Sequence, residues 1–220
     1  MRRSRVHTEE VLVRQAVAFL LVSSPAATAA LARDLIGRQL LGVTEARHWH
    51  EGRRDGDAAS LIHFWLHFEG KLPLMAHGTG EYLLLEFNEP YASYDMQEHG
   101  ETRVEPVQAP DLLAAFVGQR LLDAALIQGY APEPSVGGLR LRFERGVLLV
   151  ASLADEWVLS TGSIRTELSP YLHAGSWLGG TSAEQPPEQP SQRKSADTDG
   201  AQAQVNEDQD HGDQQAATDS

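Results

Sequence analysis

The chain has 220 residues, 18 Lys and Arg against 31 Asp and Glu, a formal charge of −13 and no cysteine. The lack of cysteine excludes a disulfide scaffold, a Cys-ligated zinc or iron–sulfur centre and a thiol nucleophile. The negative charge speaks against a nucleic-acid binder that relies on bulk attraction to phosphate, so no nucleic-acid partner is expected.

At the N-terminus, Arg2, Arg3 and Arg5 precede the apolar run Ala16 to Val22 and then Ala27-Thr28-Ala29. This is the layout of a secretory signal, but Glu9, Glu10 and Arg14 interrupt it and the apolar core is short. Residues 1–25 read better as an extra N-terminal helix capped by Thr8, or as an overextended start. The expectation is a cytoplasmic protein, with export through an N-terminal signal as the alternative. No run reaches the roughly 18–20 apolar residues of a membrane span, so no membrane partner is expected.

Self-similarity organises the rest of the chain. At a shift of 81, Leu31 to Leu41 lies on Leu112 to Leu122, with Leu31/Leu112, Gly37/Gly118, Leu40/Leu121 and Leu41/Leu122 identical. At a shift of 75, residues 66–85 lie on 141–160 without a gap, and seven of the twenty positions are identical. These include Leu66/Leu141, Phe68/Phe143, Glu69/Glu144 and Glu81/Glu156. Two blocks in the same order favour an internal duplication: copy one over 30–87, a connector over 88–109 and copy two over 110–162, within a β-rich body over 26–178.

Each copy reads as a short helix, a glycine and then several strands. In copy one, Gly37 ends the helix, and Ser60–Glu69, Leu72–His77 and Glu81–Phe87 are strands. The connector is polar and turn-rich, with Glu101–Val107 as an edge strand. In copy two, Pro110 and Asp111 open a helix that Gly118 closes. Leu139 to Glu144 alternates strictly, Val147 to Leu153 reads as a central strand, and Glu156 starts another. The fold class is α+β, mainly β: two duplicated helix-plus-antiparallel-strand units sharing one core, because a unit of about 50–60 residues buries too little alone. Residues 181–220 carry nine acids against Arg193 and Lys194, with Val205 as the one large apolar side chain. Such a composition is expected to form a disordered acidic tail.

Histidine is where chemistry is first sought. Six of the nine fall between His48 and His99. His48-Trp49-His50 puts two imidazoles on one strand face, and a hairpin at 51–59 would bring His63 alongside. His48, His50 and His63, with Glu69, are the candidate metal ligands, suited to zinc or iron. Gly42, five residues and His48-Trp49-His50 also has the spacing that opens the first cupin motif. The resemblance stops there: in place of the glutamate that should follow, Asp55 comes in a polar loop, and the second motif with its third histidine has no counterpart in the second copy. The retained pairs Glu69/Glu144 and Glu81/Glu156 could supply paired carboxylates, but glutamates beside turns serve structure more often. Arg140, Arg142 and Arg145, with Arg120, form a basic stripe on an exposed strand face. No serine sits in a nucleophile elbow, and no glycine-rich phosphate loop is present.

The preferred reading is a non-enzymatic binding protein, without a cofactor, that engages a protein partner. By analogy alone, such a partner suggests an immunity-like or regulatory role. Sixteen Arg against two Lys suggests a bacterial, high-GC source. The contact surface is expected in the connector, at Tyr91, Tyr94, Asp95, Met96 and Glu98, where aromatic and Met side chains suit recognition. A homodimer through exposed strand edges is a further expectation. The alternative is a small metal-dependent enzyme with its histidine site in the first copy.

Overall fold

The computed structural model describes residues 24–131 and 135–180. The expected N-terminal helix and acidic tail lie outside the described residues, apart from the start of α1. Among the described residues, one α-helix and eleven strands are arranged as two antiparallel sheets. Helix α1 (Pro25–Leu35) begins where Ser24 accepts a hydrogen bond from the Ala27 amide at 3.2 Å and Pro25 takes the first turn. It ends before Gly37, whose φ of 87° is a conformation that costs a side chain energy.

The first sheet contains β1 (Leu40–Trp49), β2 (Leu61–Phe68), β3 (Leu74–Thr79), β4 (Tyr82–Phe87), β5 (Tyr94–Asp95) and β6 (Glu101–Pro106), in the order β4-β3-β2-β1-β6-β5. The second contains β7 (Leu121–Gln128), β8 (Gly138–Phe143), β9 (Gly146–Leu153), β10 (Glu156–Thr161) and β11 (His173–Trp177), in the order β10-β9-β8-β7-β11. Both are four-strand meanders whose first strand also pairs with a later arrival, β6 or β11. The expected edge strand at Glu101–Val107 is therefore β6, and it lies inside its sheet, covered on its outer side by the two-residue β5.

One core fills the space between the sheets. Phe64, Leu66, Phe68, Leu74 and Leu83 come from the first, and Leu121, Leu139, Leu141, Phe143, Leu148 and Trp157 from the second. Trp157 spans the gap: its ring lies 5.2 Å from that of Phe64, and its indole N–H donates to the Ile62 carbonyl at 3.2 Å. Each sheet's own outer face is covered too. Leu172, with Ile164 and Leu168 beside it, packs over Ile127, Leu149 and Ala151 on the second.

The sheets also meet in a short antiparallel ribbon centred on the bridge between Gln39 and Arg120. Its hydrogen bonds are reciprocal. The Gly37 amide donates to the Leu121 carbonyl and the Gly118 amide to the Leu40 carbonyl, each at 2.7 Å. The Leu40 amide donates to Gln119, and the Leu121 amide to Arg38, each at 2.9 Å. The side chains of Gln39 and Arg120 donate across to the carbonyls of Gly118 and Gly37. Each of these pairs interconverts at a shift of 81.

Two expectations change. The ungapped shift of 75 does not persist through the strands. Phe68 matches Phe143 by pairing with Leu40 as Phe143 pairs with Leu121. Beyond the β2–β3 turn, however, Leu66 pairs with Leu74 whereas Leu141 pairs with Leu148, so the geometric shift falls to 74. One residue inverts strand parity: Leu74 faces the core, while Leu149 and Ala151 lie on the outer cluster. The identities Leu74/Leu149, Ala76/Ala151 and Glu81/Glu156 therefore do not occupy equivalent places. The second expectation concerns the helix after Pro110, which is a five-residue 3₁₀ turn, Leu112–Phe116. Asp111 makes no capping bond there, because its carboxylate is turned toward Arg54 and Arg47.

Candidate functional site

Two places on the first sheet concentrate polar and aromatic side chains, one on each face. They arise from strand alternation. Phe64, Leu66 and Phe68 point to the core, so His63, Trp65 and His67 point outward, as do Met75 and His77 of β3. His63 lies opposite Ala46 on one side and His77 on the other, its ring 4.6 Å from that of His77.

The connector folds back over this outer face. Tyr91 stands edge-on to Trp65 at 5.1 Å and to His63 at 6.0 Å, and Tyr94 packs against Tyr91 at 6.0 Å. Asn88 accepts from the Trp65 indole N–H at 2.8 Å. His67 and Thr44 share a hydrogen bond of 2.8 Å. Desolvation dominates the titration of these imidazoles. Burial, reinforced by His77, lowers His63 to about 4, and burial also lowers His67 and His77. His63 and His77 are therefore neutral near pH 7, and the buried Nδ1 of His63 has no hydrogen-bond partner. Burial raises Tyr91 to about 12, so its phenol stays protonated.

The candidate ligands do not converge. His48 lies on the same outer face, but its Nε2 is engaged with the carbonyl of His99 at 2.8 Å. His50 lies beyond the end of β1 in an isolated bridge with Arg53, and His63 packs against His77 with the two rings tilted by 54°. Glu69 is exposed in the turn after β2, where its backbone carbonyl accepts from Arg38. The candidate contact residues do share one arm. Tyr91 is tucked in and Met96 is half-buried against Thr102, whereas Tyr94, Asp95 and Glu98 are exposed. Asp95 also accepts from the Gln97 amide at 2.8 Å, which shapes the tip.

Sequence reasoning missed the other place. After a bulge between Leu40 and Gly42, β1 presents Val43, Glu45, Arg47 and Trp49 to the interior side, and Glu45 pairs with Phe64. The apolar row therefore runs into charge. Glu45 and Arg47 are each 4% exposed and joined by two bonds of 2.9 Å. Arg47 also donates to the carbonyl and carboxylate of Asp57 and to Ser60 Oγ. All five of its N–H groups are thereby used. Asp57 accepts the Leu112 amide at 2.9 Å, and Asp111 accepts from Arg54 at 2.6 Å.

Among the described residues, Glu45, Asp57 and Asp111 are the group of three or more acidic or histidine side chains whose oxygens or nitrogens lie within 4.8 Å of one another. The cation they surround is Arg47. Burial raises Glu45 despite that partner. For Arg47 burial works against the charge, but the bonds from Glu45 and Asp57 outweigh it and raise its pKa.

A signal for this cluster was present in the alternating acid and base at Glu45 and Arg47. It was obscured because charged strand positions are ordinarily assigned to the solvent face. No helix among the described residues is long and apolar enough to cross a membrane. No family model, curated protein or solved structure matches the chain.

Proposed function

We propose that the chain is a non-catalytic binding protein that engages a protein partner through the arm at residues 88–100 and the β5 edge. The supporting observation is the clamp formed by Tyr91 on Trp65 and His63, which holds the arm in one conformation while Tyr94, Asp95 and Glu98 remain exposed. An arm ordered before binding loses less entropy on association. Glu89, Asp95 and Glu98 give this edge an acidic character, so the partner surface is basic, with an apolar socket for Tyr94. The two sheets, on this reading, are one unit duplicated and then specialised. What supports it is the common strand order and the reciprocal ribbon. The further proposal, that residues 181–220 form a solvated acidic arm, rests on their composition.

The test is affinity capture from the source cell with wild type, Tyr94→Ala, Glu98→Arg and an Arg145→Ala control far from the arm. A partner recovered by wild type and control but reduced about tenfold or more by either arm variant is the expected result, equivalent to ~1.4 kcal/mol. Equal recovery with all four proteins overturns the surface.

A further inference from the structure

A cavity of about 210 Å³ opens beside the Arg47 cluster, between β1, β6 and the turn at Asp111. Its lining includes three acids and three arginines, but these are not equally available. Arg47 has no N–H left to offer, and Glu45 is committed to it. Arg54 spends one nitrogen on Asp111, and Arg103 spends Nε and Nη2 on Glu101. Both retain N–H groups without a partner among the described residues. Both also lie over Trp49, with their guanidinium carbons 5.9 Å and 4.1 Å from the ring centre. Glu105 is exposed at the rim and has no hydrogen-bond or ion-pair partner among the described residues. What faces the open space is thus two part-used guanidiniums, one free carboxylate and an indole.

The fold does not require this charge. At the related place in the second sheet lies a cavity of about 300 Å³ lined by Leu126, Gln128 and His173. There Leu126 stands for Glu45 and Gln128 for Arg47. His173 pairs with Gln128 as Arg103 pairs with Arg47. None of these three is an acid or an arginine: Leu126 is half-buried, and Gln128 and His173 are exposed. Burying charges costs desolvation that a packed apolar set avoids, so charge found in one of two matched cavities points to a use for it.

We propose that the charged cavity binds a small zwitterion of the amino-acid class. Its carboxylate lies between Arg54 and Arg103, its ammonium faces Glu105, and its side chain lies along the part of Trp49 that the two guanidiniums leave open. Guanidinium recognises a carboxylate through paired N–H groups, and an indole face suits an aliphatic or cationic side chain. The inference is independent of the arm at 88–100.

Isothermal titration calorimetry with the full chain provides the test. The probes are the free amino acids, their N-acetyl and amide derivatives, and inorganic phosphate. At least one free amino acid should bind with a Kd below about 1 mM. Acetylation, amidation, Arg103→Gln and Glu105→Gln should each weaken it about tenfold or more, and His173→Gln should leave it unchanged. Glu105→Gln lies outside the ion-pair network, so its result does not depend on the fold tolerating a lost arginine. Saturation by no amino acid at about 10 mM overturns the proposal. So does an acetylated acid or phosphate that binds as tightly as the parent zwitterion, or unaltered binding by Glu105→Gln.

Discussion

Arg47 is held by more partners than any neighbour in its cluster, and its surroundings determine what its loss would do. It joins β1 to the loop at Asp57 and Ser60, and through Asp57 and Asp111 to the turn that begins the second half. Arg47→Met keeps the volume but leaves Glu45 buried without its counter-charge. A loss of about 3–5 kcal/mol in urea unfolding is expected, because one partner of a buried pair has been removed. His63 responds to acid. A base whose pKa falls on folding binds fewer protons folded than unfolded. Its contribution to stability is therefore complete above the unfolded value of 6.5 and declines as pH falls through that value toward about 4. His67 and His77 shift in the same direction. Stability followed by denaturant titration should drop across this window, and His63→Leu should flatten the drop without abolishing it.

At the scale of elements, the apolar and alternating strands were the legible part. Leu61–Phe68, Leu74–Thr79, Tyr82–Phe87, Gly138–Phe143, Gly146–Leu153 and Glu156–Thr161 lie within a few residues of where periodicity puts them. Strands β1 and β7 were harder to read, since each carries a bulge after its first residue, at Leu40/Gly42 and Leu121/Asp123. A bulge resets which face a side chain takes, and Leu41 and Leu122 are left exposed at 57% and 43%. Periodicity across such a point reads as noise. The one-residue difference between the β2–β3 and β8–β9 turns was hidden for a related reason. Leu148 and Leu149 occupy opposite parities in β9, so a slipped alignment still finds identities. The glycines before the bulges were legible and carry a prediction. Gly37 and Gly118 hold φ of 87° and 83°, and no atom lies within 4 Å of where a Cβ would stand at either. Gly37→Ala and Gly118→Ala should therefore each cost about 1–2 kcal/mol through backbone strain alone, measured by chemical denaturation. A negligible cost at both would mean that the ribbon relaxes.

For the molecule as a whole, the class of fold and the shared core followed from size and patterning, whereas the candidate cavity did not. Glu45, Arg54, Arg103, Glu105 and Asp111 lie on separate stretches of chain, and only the pairing of β1 with β6 and the return at Asp111 bring them together. Chemistry assembled across such distances leaves no local motif. The histidines misled for the opposite reason: they are close in sequence, yet His48 and His63 find different partners on the sheet.

The ribbon at Gln39 and Arg120 also shapes how the chain reaches this state. Each meander joins strands that follow one another closely, whereas the ribbon's side-chain bonds span 79 and 83 residues. Closing so long a loop costs little more in stability than closing a short one, because the entropy grows only with the logarithm of length. Its effect falls on speed instead, since non-local pairings slow the search. Pairing of neighbouring strands within a meander is local and fast, whereas the seam between the two sheets requires the long loop to close. Until it closes, each half presents an unpaired edge that a second chain's complementary half would fit equally well.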